Sequence, residues 1–270
     1  MEERVEKITH MKNKIHFISG LPRSGSTLLA AILKQNPRFV SGMTSPVSTL
    51  FRAIEDATST RIETSIFITD EQKKLFLKGL FSTYYQSYED KVIFDTSRMW
   101  CARTSLIAKL FPDSKMICCV RELSWIMDSF ERIYRANEHK PSGIYGYDTG
   151  GTVYSRSVGI ASSNGVVGYA LDALKEAYYS EHTKNLFIID YDNLCKNPKK
   201  IIDSLYTFLE EEQFQHDFNN VEYSAGEFDK QLGAEGLHDV KNKVEWKSRK
   251  TILPPDLFDR YKNDNFWKFR

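Results

Sequence analysis

The chain has 270 residues and a formal net charge of +1. That length suits one sizeable α/β domain, and the near-neutral charge argues against a general nucleic-acid binder, which carries a basic excess. There is no run of about 18 apolar residues and no apolar region before a cleavage site, so a cytoplasmic chain without a membrane span is expected.

The first segment, Met1 to Asn13, is polar and reads as an N-terminal extension, with Met11 an alternative start. Four short apolar runs then read as buried parallel strands: Lys14–Ser19, Val92–Asp95, Lys115–Val120 and Leu186–Asp190. Each is followed by helix-like sequence. Ser24 to Gln35 carries Leu28, Leu29, Ile32 and Leu33 as one apolar stripe, with Pro37 just beyond its end. An extra amphipathic helix is expected in TDEQKKLFLKGLFSTYYQSYED. Ala102 to Phe111 precedes a PDS turn, and Leu123 to Asn137 has apolar residues at helical spacing. Seven of the fourteen glycines fall between Gly143 and Gly168, where a functional loop gives way to a helix in VVGYALDALKEAYYSEH. Asn197-Pro198 reads as an N-cap and first helical position for KKIIDSLYTFLEE. Residues 214–270 are charged and aromatic with weak periodicity, and are expected to wrap the domain as a tail. Repeated strand–helix alternation predicts a three-layer α/β fold with a central parallel sheet flanked by helices, in one domain over 1–270. The cysteines, Cys101, Cys118, Cys119 and Cys195, lack framework or metal-ligand spacing. Cys118 and Cys119 are adjacent within KMICCV, so they face opposite sides of a strand and read as reduced packing residues.

Two motifs point to anion chemistry. The turn after the first strand reads Gly20-Leu21-Pro22-Arg23-Ser24-Gly25-Ser26-Thr27, close to the P-loop G-x-x-x-x-G-K-[ST] but with Ser26 in place of lysine. Gly20 and Gly25 allow a tight path, backbone N–H groups converge at the helix start, and Ser24, Ser26 and Thr27 add hydroxyl donors. With Arg23 as its nearest cation, the loop suits an anion less charged than a triphosphate, such as a phosphate bearing a sulfuryl group. The alternative is an ordinary Gly/Ser turn opening a helix. The second motif is VRELSWIMDSF. Arg121 stands at the C-terminal end of a buried strand, where open α/β sheets place their ligand crevices, and Ser129 lies eight residues on, so the two could clamp one phosphate.

PRSGST followed by LLAAIL, then LFPDSKMICCVRELSWIMDSF, then LFIIDYDNL, in that order, resembles the sulfotransferase superfamily that uses 3'-phosphoadenosine 5'-phosphosulfate, PAPS. The resemblance covers roughly Lys14 to Leu209. It is nearest to a bacterial subgroup and more distantly similar to protein-tyrosine sulfotransferases. It implies a P-loop NTPase-like fold and PAPS as co-substrate, with no metal. It further implies that Pro22, Arg23, Ser24, Gly25, Ser26 and Thr27 hold the 5'-phosphosulfate, that Arg121 and Ser129 hold the 3'-phosphate, and that Tyr191 flanks the nucleotide. The product would be 3'-phosphoadenosine 5'-phosphate, PAP, and the partner an acceptor hydroxyl or amine of unspecified class.

The chain departs from the family at the base. The cytosolic relatives place a histidine after the second strand, where this chain has VIFDTSRMW, and the protein-tyrosine group places a glutamate after the loop helix, where it has VSGMTSPVS. Asp95, leaving a strand beside the crevice, is the candidate base; equally, an aspartate there often caps the following turn. Arg98 is the candidate replacement for the family lysine near the leaving group. Thr44, Ser45 and His139 are candidate acceptor contacts, whereas His16, inside the first strand, reads as core. Tyr145, Tyr147, Tyr154 and Trp246 are aromatics that could cover an acceptor or pack on the domain, and Lys247 and Arg249 could close over the nucleotide. The rival readings are a P-loop kinase or NTPase, with Asp190 the nearest imitation of a magnesium ligand, and a nucleotide-binding module without catalysis.

Overall fold

In a computed structural model, residues 13–139, 151–240 and 242–268 are described. The apolar runs form a parallel sheet of β1 (Lys14–Gly20), β2 (Phe39–Ser41), β3 (Val92–Thr96), β4 (Met116–Val120) and β5 (Leu186–Asp190), in the order β2-β3-β1-β4-β5. The short edge strand β2 is an addition to the four expected from the sequence. Three residues give too little alternation to register as a pattern, and β2 is defined by its pairing, Phe39 opposite Val92 and Ser41 opposite Phe94.

Helices cover both faces. From N- to C-terminus they are α1 (Ser26–Leu33), α2 (Val47–Ala57), α3 (Asp70–Tyr84), α4 (Thr104–Leu110), α5 (Leu123–Ala136), α6 (Val153–Ala161), α7 (Gly168–Tyr179), α8 (Tyr191–Lys196), α9 (Pro198–Leu209), α10 (Gly226–Gln231) and α11 (Pro255–Arg260). The start of α3 is a capping box: Thr69 Oγ1 accepts from the Gln72 N–H, and Gln72 Oε1 accepts from the Thr69 N–H. Pro198 occupies the first turn of α9, as expected, but Asn197 makes no side-chain cap there. A 3-10 segment, Arg98–Arg103, precedes α4, which begins two residues later and ends one earlier than the expected Ala102–Phe111.

Alternation along the strands splits the apolar residues between two cores. Phe17 and Cys118 pack on one side with Phe51, Phe81, Trp100 and Phe130. Ile18 and Cys119 pack on the other with Leu29, Ile32, Phe94 and Tyr206. The two adjacent cysteines therefore do face opposite ways, and all four cysteines are free and buried. His16 is fully buried in β1, and its Nδ1 accepts from the Lys115 N–H at 3.0 Å. Burial, reinforced by Lys14 and Lys115, pushes its pKa down to about 3, so the ring is neutral. Among the described residues, no helix is long and apolar enough to cross a membrane.

This topology dictates where chemistry can occur. β1 is central, so the loop leaving its carboxyl end has the β3 loop on one side and the β4 loop on the other. The Ser97 N–H donates to the Ile18 carbonyl, and the Leu21 N–H donates to the Cys119 carbonyl, which ties the three loops into one crevice.

Candidate functional site

The loop after β1 takes a path that only its sequence permits. Gly20 has φ 100, and a Cβ there would meet the Cys119 carbonyl oxygen at 2.3 Å. Gly25, the residue before α1, has φ 88, and a Cβ there would lie 2.7 Å from the Tyr191 ring. Arg23 is also left-handed, at φ 58. These turns carry the backbone over the start of α1, and Pro22, Arg23, Gly25, Ser26 and Thr27 line a cavity of about 710 Å³. Ser24 is buried, does not line it, and donates to the Pro22 carbonyl.

Four arginines line the same cavity: Arg23 from the loop, Arg98 beyond β3, Arg121 beyond β4 and Arg249 from the C-terminal segment. Arg23 Nε donates to Ser129 Oγ at 3.0 Å, and its Nη1 donates to the Leu237 carbonyl. Burial, then the nearby Arg121, pushes the Arg23 pKa down to about 10. Arg98 is enclosed by protein yet open to the cavity, and desolvation lowers its pKa. The Arg121 guanidinium stacks 4.3 Å from the centre of the Tyr191 ring. Arg249 pairs with Asp128 Oδ2 at 3.0 Å, and its pKa is lowered by desolvation, then by Arg121. The Nε atoms of Arg121 and Arg249 are both buried without a hydrogen-bond partner. Two guanidinium groups on one wall suit an anion with several oxygens.

The residues picked out from sequence thus separate. Arg23, Arg98, Arg121, Ser129, Tyr191 and Thr44 come together around the cavity. Ser129 is bonded by Arg23 rather than by Arg121. Asp95 lies elsewhere. It is fully buried, accepts from Trp100 Nε1 at 2.8 Å and from the Ser45 and Tyr85 hydroxyls at 2.6 Å each, and is not part of the cavity wall. Burial raises its pKa, but with three donors around it the carboxyl ties β3 to its neighbours and faces no acceptor. Ser45 serves that network and also accepts from the Val47 N–H. His139 is exposed beyond α5 and does not line the cavity. Asp190 caps α8, accepting from the Asn193 N–H. Lys247 is exposed and paired with Glu245, Tyr154 donates to Asp256, and Trp246 lies under Lys196. Tyr145, Tyr147 and the two methionine starts lie outside the described residues.

Two cavity features had no signal in the sequence. One is His238, which lines the wall, and the other is Asp229, fully buried behind it. They are nine residues apart in a segment of weak periodicity, a spacing that no regular element would bring together. Met43, Val166, Tyr169, Phe228 and Leu232 add apolar lining to the cavity.

A parallel α/β sheet with a glycine-shaped loop after its central strand and facing guanidinium groups defines a P-loop-like fold. The sequence profile of the Sulfotransferase family matches residues 16–216, and the chain belongs to that family. It is a sulfotransferase. No curated protein matches the sequence. Solved structures share the fold. One is the sulfotransferase domain of the curacin biosynthetic pathway, at 15% identity and TM-score 0.53, covering 94% of this chain and 92% of that one. Another is the sulfotransferase domain of the Synechococcus PCC 7002 olefin synthase, at 17% identity and TM-score 0.52, covering 93% and 88%. A third, a sulfotransferase from Alicyclobacillus acidocaldarius, has 12% identity and TM-score 0.51, covering 83% and 90%. The family match ends before Asp229, His238 and Arg249.

Proposed function

We propose that the protein binds PAPS in the arginine-lined cavity and delivers its sulfuryl group to an acceptor hydroxyl or amine. The observation that carries this reading is the convergence of Arg121, stacked on the Tyr191 ring, and Arg249 on one cavity wall. One anionic end of the nucleotide fits those two guanidiniums, with Tyr191 beside it. The other fits the N–H groups between Pro22 and Thr27. Bound PAPS supplies a sulfuryl group on a phosphate leaving group. Around that leaving group Arg23, Arg98 and the loop N–H groups are fixed donors, and each such donor contributes about 3–4 kcal/mol of transition-state stabilisation.

Support against a kinase or NTPase comes from the missing loop lysine and from Asp190, the nearest imitation of a magnesium aspartate, which is engaged as a helix cap. Calorimetric titration separates the readings. PAP is expected to bind without metal, and more tightly than ATP with magnesium. Arg121→Ala should weaken PAP by about 2–5 kcal/mol, the cost of truncating a phosphate-clamping charge. Metal-dependent ATP binding, or an Arg121→Ala affinity equal to wild type, would refute the assignment.

A further inference from the structure

The cavity wall contains a histidine and an acid arranged as a base and its orienting partner, formed by residues that lie beyond the family match. His238 Nδ1 is 2.5 Å from Asp229 Oδ1, and the His238 backbone N–H donates to Asp229 Oδ2 at 2.9 Å. Both carboxylate oxygens are therefore directed at one residue. Asp229 is fully buried within α10, where its backbone carbonyl also accepts from the Ala234 N–H. A carboxylate only accepts, so Nδ1 carries the proton and Nε2 keeps its lone pair. The ring is packed against Phe228, with centroids 5.6 Å apart, which fixes its tilt.

The surroundings put this imidazole beside the loop cation on the cavity wall. Arg23, the loop cation, donates to the carbonyl of Leu237, the residue before His238. The charged groups acting on His238 are Asp229, which favours the imidazolium, and Arg23 and Arg98, which oppose it. Desolvation is the largest influence, and the net direction is a pKa below the ordinary histidine value of 6.5. A neutral ring at neutral pH is the state a general base requires.

We infer that His238, oriented by Asp229, is the general base for acceptors of the hydroxyl class. The inference rests on the donor-site reading above. In the step it serves, Nε2 takes the proton of the acceptor O–H as the acceptor oxygen forms its bond to sulfur. The bond between sulfur and the bridging phosphate oxygen breaks, and its electron pair stays on that oxygen. The imidazolium then gives up its proton to solvent. A hydroxyl needs this help because it is a weak nucleophile while protonated, whereas a neutral amine does not. The apolar wall of Met43, Val166, Tyr169, Phe228 and Leu232 suits an alcohol or phenol carried on a hydrophobic body.

The test has a readout that does not depend on turnover. Long-range proton–nitrogen spectra of histidine-labelled protein bound to PAP should show His238 as the Nδ1–H tautomer, titrating below pH 6.5, with Asp229→Asn relaxing that preference. PAPS turnover is then measured with water and with simple alkanols and phenols as acceptors. His238→Gln should lose at least about a hundredfold in rate and lose the acidic limb of the pH profile, with PAP affinity within threefold of wild type. Imidazole should partly rescue His238→Gly. An Nε2–H tautomer in the wild type, or a His238→Gln rate within threefold of wild type, overturns the inference. Should none of these acceptors turn over, the tautomer decides alone. Failure of wild-type PAP binding would instead strike the donor-site reading.

Discussion

Asp95 and His238 are both polar residues near a crevice, and their surroundings assign them different work. Asp95 has no face toward the cavity, and its three donors would be left unpaired if the carboxyl were removed. A buried donor without a partner costs about 1–3 kcal/mol, so Asp95→Ala should lower the unfolding free energy in urea by about 3 kcal/mol or more. The sequence alone left Asp95 evenly divided between a base and a turn cap. The geometry predicts a loss of stability, with PAP affinity of the folded fraction little changed. His238 lies on the wall with a lone pair available, and its cost should appear in rate and pH profile. Both residues are acids or bases by composition, and only their contacts separate them.

The β1 strand and the loop that leaves it make two further expectations. His16 has a folded-state pKa of about 3, below its unfolded value near 6.5. The unfolded chain therefore binds the extra proton first. The stability from neutral His16 is present above pH 6.5 and is lost progressively as pH falls from 6.5 toward about 3. Denaturant unfolding across that window should show a shallower decline for His16→Asn, whose amide oxygen can still accept from Lys115. In the loop, Gly25→Ala introduces a Cβ at positive φ against the Tyr191 ring. The left-handed strain alone is about 1–2 kcal/mol. Displacing Tyr191 also moves the face on which Arg121 rests, so weaker PAP binding should accompany the loss in thermal midpoint.

Taken together, the sheet and its C-terminal segment form one device for holding charge. The Asp128 carboxylate accepts from Thr251, from the Ile252 N–H and from Arg132, and pairs with Arg249. It thus ties the last stretch of chain to α5, close to Arg121. These partners hold the Asp128 carboxyl below its ordinary range against the opposing effect of burial. Asp128→Ala should release Arg249 from its position and weaken PAP binding although the residue does not line the cavity. Binding should also show as stability. With PAP at a hundred times its dissociation constant, linkage adds about 2.7 kcal/mol to unfolding, and Arg121→Ala should cut that gain to about 0.9 kcal/mol or less at the same PAP concentration. A thermal midpoint unmoved by PAP in the wild type would refute the proposed site.

Four of the five strands, the loop after β1 and the arginine beyond β4 were legible in the chain because they are local. A run of apolar residues, a glycine pair at the right interval and a cation at a strand end each fit within a few residues, so pattern alone reveals them. The edge strand β2, the attachment of Arg23 to Ser129, the burial of Asp95 and the meeting of His238 with Asp229 had no such mark. They arise from pairings between segments far apart in the chain, or from loops whose path is set by packing and not by periodicity. Local chemistry therefore marked the loop and the cations of the crevice, and long-range packing chose which of its acids and bases line it.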